Sequence, residues 1–192
     1  FNGTAWVKVG GNIVGESAGD RSGLDTSLSD DGTRVAIGAN NNSGNGTYSG
    51  HVRVFQYQVI SGTATWTQLG ADIDGEAAGD YSGGSVSLSS DGSRVAIGAV
   101  FNDAGNSFSD NRGHVRVYEL QSGSWVKLGS DIDGEAAGDR LSKVSLSSDG
   151  SRVAVGARSN DGDSGDIDDN RGHTRVYELQ SGSWVKLGSD ID

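Results

Sequence analysis

The stretch SVSLSSDGSRVAIGA (85–99) decides the fold. Ser85-Val86-Ser87-Leu88-Ser89 alternates small polar with apolar residues, Asp91-Gly92 interrupts, and Arg94-Val95-Ala96-Ile97-Gly98-Ala99 alternates again. A period of two sends successive side chains to opposite faces of a sheet, and Asp-Gly between two such runs is the strongest short hairpin signal. The pattern predicts two antiparallel strands and a tight turn. Ser85, Ser87, Ala96 and Gly98 are small where a neighbouring sheet must approach closely, while Val86, Leu88, Val95 and Ile97 can fill the gap on the other side. Both faces are therefore expected to be buried.

Downstream, HVRVYEL (114–120) runs through Ser122-Gly123 into SWVKL (124–128), a second tight hairpin. The module recurs. Trp6, Trp66, Trp125 and Trp184 stand 60, 59 and 59 residues apart, and Asp20, Asp80, Asp139, then Asp31, Asp91, Asp149, then His51, His114, His173 keep step with them. A fixed period of this size means tandem supersecondary units, each burying its apolar faces against its neighbours.

The predicted fold is all-β: β-propeller blades, four-stranded antiparallel meanders of about 60 residues. The units run approximately 6–65, 66–124 and 125–183, and 184–192 starts a further one, giving three blades plus an extra strand within one repeat region, 1–192. No stretch reads as a helix, and a parallel β-helix, with shorter coils and no Asp-Gly hairpins, fits worse. Propellers close with roughly four to eight blades, so the chain is expected to be part of a larger propeller or array. The lack of Met points the same way, to a processed or excised portion of something longer.

GDYSGGSVSLSSDGSRVAIGA (79–99) followed by GHVRVYEL (113–120) resembles the FG-GAP repeats of the integrin α-subunit N-terminal β-propeller and related repeats of surface proteins. The Phe-Gly of that family is Ser22-Gly23, Ser82-Gly83 and Leu141-Ser142 in this chain, and the proline of its Gly-Ala-Pro is Asn40, Val100 and Arg158. The resemblance implies that protein ligands meet the face bearing the long loops. It implies a metal loop between the first two strands of a blade, where this chain has only the tight Ser-Asp-Gly turn.

With 26 acids against 15 bases the formal charge is −11, which repels nucleic acid and anionic lipid. No apolar run approaches the roughly 18 residues that cross a bilayer, so no membrane insertion is expected. There is no Cys, hence no disulfide and no thiol nucleophile.

An up-down-up-down meander puts the two tight hairpins at one end of a blade and the long loops, 40–51, 100–114 and 158–173, at the other, with the linkers. Variable loops on a rigid scaffold commonly carry binding. The third loop offers Asp161, Asp163, Asp166 and Asp168 as a candidate Ca2+ site, since calcium collects carboxylate oxygens. The linker DIDGEAAGD, at 72–80 and 131–139, is acid-rich too, but the first copy, NIVGESAGD (12–20), keeps only Gly-Glu-x-Ala-Gly-Asp, which favours a corner-turning role. His51, His114 and His173 read as blade-repeated structural residues, and the Trp series as filler between blades near their outer edge. Asn2, Asn41 and Asn45 open N-x-S/T triplets and are candidate glycosylation sites.

These readings lead to a non-catalytic extracellular or cell-surface adhesion or structural interaction module that binds a protein or glycan ligand through its long loops, or further copies of itself. The alternatives are a glycan-binding lectin-like propeller and a self-assembling fibre or sheath subunit.

Overall fold

The computed structural model describes residues 3–103, 110–161 and 170–191. Among these there is no helix, and three antiparallel sheets follow one another. The first holds β1 (Thr26–Leu28), β2 (Arg34–Ala39), β3 (His51–Ile60) and β4 (Thr63–Gln68), with the short β5 (Ile73–Asp74) also paired to β3. The second repeats this with β6 (Ser82–Leu88), β7 (Arg94–Ala99), β8 (His114–Gln121), β9 (Ser124–Lys127) and β10 (Ile132–Asp133). The third comprises β11 (Leu141–Leu146), β12 (Arg152–Ala157), β13 (His173–Gln180) and β14 (Ser183–Lys186). These sheets are the propeller-like blades that the repeat predicts.

The registers follow the alternation. Val86 pairs with Ile97 and Leu88 with Val95 across the Asp-Gly turn. Inside that turn the Asp91 carboxylate accepts the Ser93 N–H at 2.9 Å and the Ser89 hydroxyl at 2.8 Å, and Gly92 takes φ 64°. Each of the Trp strands β4, β9 and β14 is the fourth strand of its sheet and pairs with the third, just before it in sequence. Residues 6–9, around Trp6, carry no strand.

The core lies in the gaps between blades. Val52, Val54 and Ile73 of the first blade pack with Val86, Leu88, Val95 and Ile97 of the second. Ala96, Val115, Val117 and Ile132 of the second pack with Leu141, Val153, Val155 and Trp184 of the third. Each such aliphatic side chain contributes roughly 1.5–3 kcal/mol by leaving water. Leu28, on the leading face of the first blade, is 58% exposed, whereas its equivalent Leu88 is 7% exposed because a blade covers it.

Close approach explains the small residues. A Cβ on Gly38 would overlap the Gly83 carbonyl, and one on Gly98 would overlap that of Ser142. The inner-strand serines are also polar partners. Ser27 Oγ accepts the Leu88 N–H and Ser87 Oγ accepts the Leu146 N–H, both at 2.9 Å, so hydroxyls of one blade satisfy edge amides of the next. At the outer edge the indoles of Trp66, Trp125 and Trp184 donate to the carbonyls of Val9, Leu69 and Leu128 at 3.0, 2.7 and 2.8 Å. Trp125 and Trp184 thus stand between blades as expected, and Trp66 rests against the segment before the first blade, but Trp6 is 88% exposed and does not.

Candidate functional site

The long loops and the linkers share one end of the molecule and are joined by backbone hydrogen bonds. Gly79 N–H donates to Thr47 O at 2.9 Å and Tyr81 N–H to Tyr48 O at 3.0 Å; Gly138 to Asp110 and Arg140 to Asn111 repeat the contact one blade on. The acids of DIDGEAAGD do not converge on one point. Asp80 turns the corner: its buried carboxylate accepts the Ala77 N–H at 3.0 Å and the Asn102 amide at 3.2 Å. Asp20 does the same with Ser17 and Asn42, and Asp139 accepts Glu135 and Ala136 N–H. Burial raises the Asp80 pKa above the ordinary carboxylate value.

The other acids divide between two blades. Asp72 turns back to His51 of the first blade, while Glu76, four residues on, reaches His114 and Arg116 of the second. Each blade therefore holds one cluster: Glu16, His51 and Asp72; Glu76, His114 and Asp131; Glu135, His173 and Asp190, with ligand-capable atoms within 4.8 Å of one another. Such acid and His triads have the donors to hold a metal ion. The imidazoles are buried at the start of the third strand, and their Nδ1 atoms lie 3.6 to 3.9 Å from the carboxylates.

In the second cluster Arg116 bonds to Asp131 through Nε at 2.9 Å and Nη2 at 2.8 Å and also pairs with Glu76, and Lys127 reaches Asp131 at 2.9 Å. Burial alone would push Asp131 up, but the Arg116 and Lys127 hydrogen bonds outweigh it and hold the carboxyl at about 2. His114 is lowered to about 4, first by burial and then by the Arg116 charge. It is neutral at physiological pH.

These triads escape a motif search because their members lie far apart in sequence: Glu76, His114 and Asp131 come from the entering linker, the third strand and the leaving linker. The available signal was the common phase of Glu, Gly-His-x-Arg and Asp in all three repeats.

Of the candidate calcium residues, Asp161 accepts the Asn170 N–H at 3.0 Å, as Asp103 accepts that of Asn111 in the preceding blade at 2.8 Å. Asp163, Asp166 and Asp168 lie outside the described residues, as does Asn2. Asn45 is exposed and donates both to Gly75 O at 2.8 Å and to Glu76 O at 3.1 Å, while Asn41 is half-buried. Beside Glu16 the first long loop and linker enclose a cleft of about 740 Å3, lined by Glu16, Asp20, Arg21, Asn42 and Tyr48 among others.

No protein-family model matches the chain, and no curated protein matches it. Among solved structures it is similar to a protein from Bacteroides fragilis described as a 6-phosphogluconolactonase, with a TM-score of 0.52 and 14% identity over 87% of this chain and 38% of that one. It also aligns with the periplasmic gluconolactonase of Pseudomonas aeruginosa, at a TM-score of 0.46 and 16% identity over 85% of this chain and 44% of that one. The chain spans less than half the length of these structures.

The comparison supports a propeller-like fold and corrects two expectations. The FG-GAP and integrin-like assignment does not hold: no family model supports it, and the Phe-Gly and proline positions that define those repeats are replaced. The non-catalytic adhesion module, with its lectin and fibre alternatives, is also corrected: the propeller-like fold it was read from is shared with a protein described as a 6-phosphogluconolactonase, an enzyme, so that fold does not mark a non-catalytic module. A propeller gathers reacting groups from separate blades, so a chain without a local catalytic motif can still carry chemistry.

Proposed function

We propose that the chain supplies blades of a propeller hydrolase that opens small polyhydroxylated lactones in the cleft beside Glu16. One observation carries this reading. Glu16 is 44% exposed and lines the cleft, while its Oε2 faces the buried His51 Nδ1 at 3.9 Å. The cleft has the volume of a small-ligand site, roughly 300–1,000 Å3, and the exposed Arg21 and Tyr48 give it donors and an acceptor for hydroxyl groups.

Lactone hydrolysis needs a base for water and a cation for the carbonyl oxygen. A water oxygen adds to the lactone carbonyl as Glu16 takes its proton, and the exposed Arg21 on the cleft wall stabilises the developing oxyanion. The ring C–O bond then breaks, the ring oxygen takes the proton back from Glu16, and the open hydroxy acid leaves. The fold neighbour described as a 6-phosphogluconolactonase supports the choice of substrate class.

The test is acid release from glucono-δ-lactone and its 6-phosphate in a pH-stat, above the spontaneous rate. Glu16→Gln is expected to lower kcat about 100-fold or more, with Glu135→Gln in the third blade unchanged within about twofold. A wild-type chain no faster than spontaneous opening overturns the proposal.

A further inference from the structure

The three Glu, His and Asp clusters differ at one telling position. At the end of the outer strand the second and third blades carry Lys127 and Lys186, and the first carries Gln68. Lys127 Nζ is 2.9 Å from Asp131, and Lys186 Nζ bonds to Asp190 while standing 3.9 Å from Glu135. In the third blade an ammonium thus sits between the two carboxylates near the imidazole. In the first, the Gln68 amide donates to Asp72 at 2.6 Å and brings no charge.

Arginine does not make up the difference. Arg53 and Arg175 are held alike, each Nη2 donating to a linker carbonyl, Val14 O at 2.7 Å and Asp133 O at 3.1 Å, and each Nη1 facing its glutamate, at 3.6 and 3.1 Å. Two carboxylates are balanced by Arg and Lys in the second and third blades. In the first they meet only the guanidinium, and one negative charge is in excess.

We infer that Glu16, His51 and Asp72 form a site for a divalent first-row metal ion of the Zn2+ class, at the place where the third blade holds a lysine ammonium between its two carboxylates. The imidazole supplies a second, independent pointer. His51 is 1% exposed, and its Nδ1 lies 3.6 and 3.9 Å from the carboxylates, beyond hydrogen-bond length. Buried polar nitrogens are normally bonded. An ion at Nδ1 satisfies that atom and both carboxylates at once.

Size and ligand type agree. Donors around a tetrahedral Zn2+ with bonds of about 2.0–2.1 Å stand roughly 3.3 Å apart, against separations here of at most 4.8 Å. Glu16 and Asp72, at 44% and 28% exposure, have the room to close that gap. A nitrogen and oxygen donor set suits Zn2+ or Mn2+, whereas Ca2+ takes oxygen ligands.

Binding is read without substrate, so the test stands apart from lactone hydrolysis; an ion held by Glu16 occupies the carboxylate assigned as base, and the two readings describe the metal-loaded and the metal-free chain. Calorimetric titration of the full chain with ZnCl2 in a non-chelating buffer should give one equivalent. Gln68→Lys, which only installs the residue of the other blades, should weaken binding at least about 30-fold, since an added positive charge about 4 Å away opposes the ion, with an unchanged thermal midpoint. Lys186→Gln should add a second equivalent. No binding by the wild type, three equivalents, a Gln68→Lys protein that binds normally, or CaCl2 binding as tightly as ZnCl2 overturns the assignment. A Lys186→Gln protein that still binds one equivalent overturns the role given to the lysine.

Discussion

The blades meet in two ways. Along the strand faces, Gly38 and Gly98 press on backbone carbonyls of the next inner strand. At the linker end the same blades meet through ionisable side chains, and there Gln68, Lys127 and Lys186 occupy equivalent places with different charges. Backbone against backbone leaves no slack, so the strand faces fix the fold. A half-exposed cluster of long side chains can exchange an ammonium for an amide without moving a strand, and this is where blades diverge in chemistry.

The largest effect is expected at Gly98. Gly98→Ala drives a Cβ into the Ser142 carbonyl and should cost about 4 kcal/mol or more, enough to abolish cooperative unfolding by circular dichroism. Gly84→Ala, whose Cβ meets nothing nearer than Tyr81 O at 3.6 Å, should change stability by under about 1 kcal/mol. If both variants behave alike, close approach is not what the strand faces require.

A somewhat smaller effect is expected from Trp184→Ala, about 3–5 kcal/mol, because this indole is 8% exposed and donates to Leu128 O across the junction. Trp6→Ala, at 88% exposure, should stay within about 0.5 kcal/mol. Urea titration of the two variants separates them.

The smallest effect belongs to the linker end and reads out with pH. His114 is held at about 4 in the folded chain against 6.5 for the free side chain, so folding favours its neutral form. Its contribution is complete above pH 6.5, is lost as the pH falls from 6.5 towards 4, and is constant below that. The loss is at most about 3 kcal/mol. Stability measured at pH 7 and pH 4 in wild type and His114→Gln should differ by that increment, with Glu76, Asp131, Arg116 and Lys127 common to both.

Strand positions were legible because Ser-Val-Ser-Leu followed by Asp-Gly encodes period and turn locally. The corner role of Asp20, Asp80 and Asp139 was legible because the first linker retains that residue and loses Asp72 and Asp74, replaced by Asn12 and Val14. The triads were not. Asp72 and Glu76 look like neighbours in one acidic run, yet the linker between two blades sends one backwards and the other forwards. Only the sheet topology shows that separation. The adhesion reading failed for a different reason, since the lack of a familiar catalytic motif within a repeat says nothing about whether a propeller-like fold carries chemistry.

The serine hydroxyls that accept the Leu88 and Leu146 amides have a further consequence. An unprotected inner strand is a template on which a sibling repeat, almost identical in sequence, could add in the wrong order. By engaging those donors from the adjacent blade, Ser27 and Ser87 close that template as soon as the correct neighbour arrives, and so help a nearly self-similar polymer keep its modules in sequence.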